Sequence, residues 1–192
     1  SGEFLSGARD FGLPLVWVDH HDVPVPDLNE MVYYYNSMRS EKPSAEPVTY
    51  WSYQISGKKQ DMWLALVGCI GDGFIPDFSA EAVDRYPELW RKVGSAFEGL
   101  YETGIGKIAR ILGFALKDRT SNVVKMIKIM FTAKPEDVLL EDKRNIMLSR
   151  FRQIDAKYSK LVEKARLNAG KSRLLYFQYG GELSISADIS NE

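Results

Sequence analysis

The chain has 192 residues, of which 45% are hydrophobic and 27% are charged, and this composition is typical of a globular protein with one domain and part of a second. No apolar stretch approaches the roughly 18 residues that a membrane span needs, and the N-terminus lacks the basic and apolar segments of a signal peptide. Because Cys69 is the only cysteine, an internal disulfide and a cysteine-based zinc site are excluded, and we expect a cytoplasmic protein without a membrane partner.

The first predicted elements are two strands joined by an extended connector. The run "GLPLVWVDHH" is apolar, rich in β-formers and without alternation, which favours a buried parallel strand. The segment "MVYYYNSM" at 31–38 predicts a second strand that ends near Asn36. Pro24 and Pro26 indicate that the connector between them is extended. The sequence therefore begins as a parallel sheet.

Helices follow the strands. A helix is predicted from Pro47 through "VTYWSYQI", because proline is well tolerated in a first helical turn. After "SGKK", the segment "QDMWLALVGCI" predicts a largely buried helix that stops at "GDG". Further helices are predicted in "SAEAVDRYPELW", "AFEGLYETGIGKIARILGFAL" and "TSNVVKMIKIMFTA", the last with Val123, Ile127 and Met130 along one face.

The last part of the chain predicts one long amphipathic helix and then a return to strands. The helix lies within "KPEDVLLEDKRNIMLSRFRQIDAKYSKLVEKARLNAG" and is expected to close at Gly170. In "RLLYFQYGGELSISADIS" an aromatic run, a Gly-Gly turn and an alternating segment predict strands. The expected fold class is thus α/β, with a parallel sheet, a mainly helical region and one long helix.

The net charge of −1 conceals two halves of opposite sign. Residues 1–100 carry 8 Lys and Arg against 15 Asp and Glu, a net charge of −7. Residues 101–192 carry 17 Lys and Arg against 11 Asp and Glu, a net charge of +6. An acidic half can hold cations and a basic half can attract phosphates, although solvation of helix faces also explains such charges.

Both histidines of the chain are adjacent, in "VDHHD". Neighbouring residues within a regular strand face opposite sides, so both side chains can serve one site only where the strand ends and the chain turns. In a parallel sheet that carboxyl end is where ligands bind. Imidazole and carboxylate are suitable ligands for Mn, Fe or Zn, but two histidines in a surface loop remain the alternative.

The segment "GCIGDGFIPDF" places Asp72 between two glycines directly after an apolar helix. Flanking glycines let other groups approach the backbone and leave the carboxylate prominent. A helix C-cap and turn would explain the glycines equally well.

Taken together, these two motifs resemble the DHH phosphoesterase family, and most closely its RecJ-like single-stranded nucleic-acid exonucleases of archaeal type. The stretches "FLSGARDFGLPLVWVDHHDVPVPDLN" and "ALVGCIGDGFIPDF" carry the resemblance most specifically. The resemblance implies that residues 1–135 are the C-terminal part of a DHH domain, 136–170 its linker helix, and 171–192 the start of the DHH-associated domain.

The resemblance also implies roles for individual residues. His20 and Asp72 would be metal ligands, His21 would contact the scissile phosphate, and Asp19 would orient the site. The implied cofactor is a pair of Mn²⁺ ions, with Mg²⁺ as the alternative, and the implied substrate is single-stranded DNA or RNA. Replication or repair of DNA is the implied setting, with replication-complex proteins as partners.

One departure from the family pattern matters. The family's earlier motif, His-x-x-x-Asp-x-Asp, and a further lone aspartate do not appear in this chain. We therefore expect a fragment that holds about half of a dinuclear site and is inactive by itself. We also expect an uncovered sheet edge beside "PLVWV", which a homodimer or another partner would cover.

Two other functions remain open: a phosphodiesterase of short oligonucleotides or cyclic dinucleotides, and a replication scaffold with little catalysis. A basic series in the second half is a weaker candidate for a nucleic-acid path, with a solvated helix face as the alternative. The series comprises Lys107, Arg110, Lys117, Arg119, Lys125 and Lys128.

Overall fold

The strand that precedes the two histidines pairs with the next strand along the chain. The computed structural model describes residues 2–25, 28, 30–169, 175–181 and 185–190. Strand β1 (Leu15–Asp19) runs parallel to strand β2 (Val32–Asn36), and the register sets Asp19 opposite Asn36. Both predicted strands are confirmed as parallel strands, and both end at the same edge of a small two-stranded sheet. The expectation that the first strand is buried was wrong, because no residue of β1 is buried.

The other regular elements are helices. A first helix, α1 (Gly2–Asp10), precedes the sheet. Short 3₁₀ turns cover Ser37–Arg39 and Lys59–Asp61. The remaining helices are α2 (Val48–Ser56), α3 (Met62–Gly71), α4 (Ser79–Arg85), α5 (Ala96–Glu102), α6 (Gly104–Ala115), α7 (Thr120–Met130), α8 (Pro135–Leu139), α9 (Ile146–Asn168) and α10 (Ser186–Ser190). The expected α/β class with a mainly helical second part is confirmed.

The chain divides into two compact units, Ser1–Gly106 and Lys107–Glu192. In the first unit, α3 forms the core because apolar residues occupy nearly every position of this helix. Met62, Leu66, Cys69 and Ile70 are at most 1% exposed. Helices α2, α4 and α5 all pack against α3. The first unit is therefore built around one buried helix beside the small sheet.

In the second unit, α9 supplies the main buried face. Asn145 caps the start of this helix, since its side-chain oxygen accepts a hydrogen bond from the Leu148 amide. Apolar side chains follow at helical spacing, and Phe151 and Tyr158 both contact the ring of Phe114. The predicted long amphipathic helix is confirmed, and it ends at Asn168. The expected closing residue, Gly170, lies outside the described residues.

Three local predictions were wrong. The aromatic run near the end of the chain was expected to be a strand, but residues 175–181 have no regular secondary structure. In α7 the buried position is Met126, whereas Ile127, which we placed on the apolar face, is 49% exposed. In the last segment, Ser186–Ser190 is a short helix and not a strand. Ile185 and Ile189 are four residues apart, which suits one helix face as well as an alternating strand, and the Ile189 amide donates to the Ile185 carbonyl. Residues 182–184, also part of the predicted strand, lie outside the described residues.

Strand β1 has one paired edge. Among the described residues it pairs only with β2, and its Val16 side chain is 71% exposed. A strand with an open edge can accept another strand, so the expected homodimer or partner stays a prediction. None of the described helices is long and apolar enough to cross a membrane.

Helices α2 and α3 approach each other closely at Gly68. A Cβ atom added to Gly68 would lie 2.4 Å from Cγ2 and 2.8 Å from Cβ of Thr49. Threonine is branched at Cβ and has few rotamers with which to relieve such a contact. Gly68 is therefore required for this helix pair to pack as it does.

We expect Gly68→Ala to lower the free energy of unfolding by about 1–3 kcal/mol, the usual cost of overpacking a core. The matched control is Gly71→Ala in the same helix, where an added Cβ meets nothing within 4 Å. This control should unfold with wild-type stability or become more stable by up to about 1 kcal/mol. Urea denaturation followed by circular dichroism measures both, and equal stability of the two variants would contradict the close packing.

Candidate metal centre

Asp19 is the last residue of β1, and its carboxylate organises the two residues that follow. Its Oδ1 atom accepts hydrogen bonds from the backbone amides of His20 at 2.7 Å and His21 at 3.2 Å. The same oxygen lies 2.7 Å from Nδ1 of the His21 ring. One carboxylate oxygen therefore fixes both the turn of the backbone and the orientation of one imidazole.

These hydrogen bonds hold Asp19 in its charged form. Partial burial acts to raise the pKa of this carboxyl, but the hydrogen bonds from the His21 ring and from the His20 and His21 amides act in the other direction and outweigh it. The pKa of Asp19 is therefore lower than its ordinary value of 3.8. Because the carboxylate is ionised at neutral pH, it can only accept, and Nδ1 of His21 carries the proton between them.

The two imidazoles lie next to each other. Their ring centroids are 4.3 Å apart, and the rings are tilted by 35°. The Nδ1 atom of His20 is buried and has no hydrogen-bond partner, whereas the His21 side chain is 66% exposed. One ring is thus partly enclosed with an unsatisfied nitrogen, and the other faces solvent.

We call Asp19, His20 and His21 the DHH corner. Each residue offers one ligand atom, and the three atoms lie within 4.8 Å of one another. Among the described residues, no other group of at least three histidine, cysteine or acidic side chains is this close. The sequence places these residue types together, and the turn after β1 brings their ligand atoms together as well.

Asn36 holds the DHH corner from the neighbouring strand. It is 4% exposed, and its Nδ2 donates to the His21 carbonyl at 2.9 Å and to the Tyr34 hydroxyl at 2.8 Å. Its Oδ1 accepts from the Met38 amide at 2.9 Å. The sequence alone did not indicate this role, because it depends on the register that sets Asp19 opposite Asn36.

Asp72 caps the C-terminal end of α3 and is exposed. Its amide donates to the Gly68 carbonyl at 3.0 Å, and Gly73 has a left-handed φ of +76°. These are the features of an ordinary helix C-cap. Asp72 is not a member of the DHH corner, so its role as a metal ligand stays a prediction.

The predicted basic series is spread over three segments of the second unit. Lys107 is exposed and Arg110 is partly buried, both on α6, whereas Arg119 is exposed at the N-cap of α7. Lys117 follows α6, and its Nζ pairs with Asp188 at 3.1 Å. A role for this series in nucleic-acid binding stays a prediction.

Comparisons with known proteins return no similarity: no protein-family model, no curated protein and no solved structure matches this chain.

The Asn36 contacts give a test of how the DHH corner is held. We expect Asn36→Ala to lower the free energy of unfolding by about 2–4 kcal/mol, because it removes a buried amide and leaves the His21 carbonyl and the Met38 amide without their partner. Tyr34→Phe removes only one of these contacts and should cost about 1 kcal/mol. Urea denaturation measures both variants, and a larger loss in Tyr34→Phe than in Asn36→Ala would contradict the assigned role of Asn36.

Proposed function

We propose that the DHH corner is part of a divalent-metal-dependent phosphoesterase centre that hydrolyses phosphodiester bonds of single-stranded DNA or RNA. The observation that carries this proposal is the partly enclosed His20, whose buried Nδ1 has no partner, within 4.8 Å of ligand atoms on Asp19 and His21. The reaction and the substrate come from the resemblance of "VDHH" and "GDG" to the DHH phosphoesterases.

The donor set fits a divalent cation of the first transition series. Imidazole nitrogen and carboxylate oxygen suit Mn, Fe and Zn, and the proposed cofactor is Mn²⁺, with Mg²⁺ as the alternative. His20 would hold the metal, together with Asp72 if the family pattern applies. When bound, such a cation lowers the pKa of a coordinated water and stabilises negative charge on phosphate oxygens.

Asp19 and His21 would act as a pair on the substrate. The Asp19 carboxylate fixes His21 with its Nδ1 proton directed to Oδ1, and Nε2 donates to a phosphate oxygen when the ring is in its imidazolium form, in which both nitrogens carry a proton. Because His21 is 66% exposed, a substrate can reach it. A donor that is already oriented costs no reorganisation when charge develops on the phosphate. Asp19 is therefore proposed as the residue that positions His21.

The first test is Mn²⁺ binding by residues 1–192, followed by electron paramagnetic resonance of the free ion. The DHH corner supplies few ligand atoms, so we expect weak binding with a Kd of about 10⁻⁴ to 10⁻³ M. His20→Ala should remove this binding. Asp19→Asn should weaken it by about tenfold, since it removes a negative charge whose oxygen lies within 4.8 Å of the His20 ligand atom.

The matched variant for this test is His21→Ala, which should change Mn²⁺ affinity by less than about threefold if this ring contacts phosphate and not metal. Equal losses in His20→Ala and His21→Ala would show that the two roles are assigned wrongly. Unchanged binding in His20→Ala would contradict the metal site itself.

The second test is cleavage of labelled single-stranded oligonucleotides in Mn²⁺. The DHH corner and Asp72 supply too few ligand atoms for two cations, and we expect no robust cleavage by residues 1–192 alone. In the protein at its full natural length, His21→Ala should lower kcat by about 10²–10³-fold, the usual effect of removing one oriented donor. Asp72→Ala should lower Mn²⁺ affinity as well as turnover.

Oligonucleotides of several lengths distinguish the proposed exonuclease from the alternative phosphodiesterase. Cleavage of long strands from one end supports an exonuclease, and activity restricted to the shortest substrates supports the alternative. Metal-dependent cleavage that is unaffected by His21→Ala and by Asp72→Ala would contradict the proposal in either form.

A further inference from the structure

A groove of about 740 Å³ lies along one side of α9 in the second unit. One wall is a face of this helix, and the opposite wall is formed by residues 179–181 and Ile185. The helix residues that line it recur at intervals of three and four, so they occupy a single face. The groove is separate in sequence from the DHH corner, and none of its lining residues belongs to that site.

The lining of this groove is basic. Four cationic side chains line it: Arg150, Lys157, Lys160 and Lys164. No aspartate or glutamate is among its described lining residues. Helix α9 contains two acidic residues, Asp155 and Glu163, and neither lines the groove. The helix therefore places most of its positive charge on the groove side and its negative charge elsewhere.

Three of these cations form no ion pair with a carboxylate of the described residues. Arg150 is already engaged, because its Nε donates to the Lys117 carbonyl at 3.0 Å and lies 3.8 Å from Oδ2 of Asp118. Within the described part of the chain, Lys157, Lys160 and Lys164 form no ion pair. All three are exposed, and they extend over about 10 Å of the helix axis at 1.5 Å per residue.

The opposite wall of the groove contains an aromatic ring and exposed backbone. Tyr179 is partly buried; its hydroxyl is hydrogen-bonded to Oγ of Ser186 at 2.8 Å, and its ring stacks on Phe177 with centroids 6.0 Å apart. Gly180 and Gly181 beside it are exposed and carry no side chain that would block the groove. An oriented aromatic ring opposite a row of lysines is the arrangement that binds single strands, with phosphates on the cations and a base on the ring.

We propose that this lysine groove, lined by Lys157, Lys160, Lys164 and Tyr179, binds the backbone of single-stranded nucleic acid. The choice of this polyanion rests on the proposed function, since a protein that hydrolyses single strands must also hold them. Binding in the groove itself does not require the metal. The groove thus adds a second contact region for the substrate, in a different unit of the chain from the DHH corner.

The experiment is a fluorescence-anisotropy titration of labelled oligo(dT) with the full chain in EDTA, so that no divalent cation contributes. The variant Lys157→Gln with Lys160→Gln should bind about tenfold more weakly. Each phosphate contact contributes about 0.7 to the slope of log K against log salt for a single strand, so the slope should fall by about 1.4. The matched control, Lys58→Gln with Lys59→Gln in the first unit, makes the same charge change at exposed positions and should bind as wild type does.

A second pair of variants separates nucleic acid from other polyanions. Tyr179→Leu should weaken oligo(dT) binding, whereas Tyr179→Phe keeps the ring and should retain it. Polyglutamate, used as an unlabelled competitor, should displace the oligonucleotide poorly. Circular dichroism melting of each variant establishes that the helices remain folded.

Three results would overturn the lysine groove as a single-strand site: equal losses in the groove and control variants, equal competition by polyglutamate and unlabelled oligo(dT), or no binding by the wild-type chain. Because EDTA is present, these results do not depend on the DHH corner. Binding that follows the expected pattern, in a chain whose Mn²⁺ affinity is unaffected by His20→Ala, would contradict the proposed metal site and leave the groove in place.

Discussion

The parallel pairing of β1 and β2 is the constraint on which the candidate site depends. Its register ends both strands together, with Asp19 opposite Asn36. At the end of β1, Oδ1 of Asp19 accepts hydrogen bonds from two backbone amides and from the His21 ring. At the end of β2, the buried side-chain amide of Asn36 donates to the His21 carbonyl and accepts from the Met38 amide in the turn that follows. A shift of one residue in this register would separate the two strand ends and expose the Asn36 amide.

This arrangement explains why the only two histidines are adjacent. Within a strand, His20 and His21 would face opposite sides of the sheet. Because β1 ends at Asp19, both residues lie in the turn that follows, and their rings come within 4.3 Å of each other. The adjacent rings differ in environment: the Nδ1 atom of His20 is buried without a partner, and His21 is oriented by a charged carboxylate. That difference is the physical basis for giving them different roles.

The sequence predicted the elements well where one signal dominated. Hydrophobic periodicity, together with proline and glycine positions, located both strands and helices α2, α3 and α9. The motif "VDHH" located the cluster of Asp19, His20 and His21. It failed where short patterns are ambiguous, as at Ser186–Ser190, which fits a helix as well as a strand. It also missed contacts that depend on register or on facing elements. The hydrogen bond from Asn36 to the His21 carbonyl and the lysine groove opposite Tyr179 cannot be derived without knowing which segments are neighbours.

The central claim is that the DHH corner binds a divalent cation, and paramagnetic broadening in NMR spectra tests it most directly. Mn²⁺ is added in small substoichiometric steps to ¹⁵N-labelled protein, and the imidazole and amide signals are followed. The account predicts that the ring signals of His20 and His21 and the amides near Asp19 and Asn36 broaden before all others. Broadening that begins instead at exposed acidic positions such as Glu88, with the His20 signals unchanged, would contradict it.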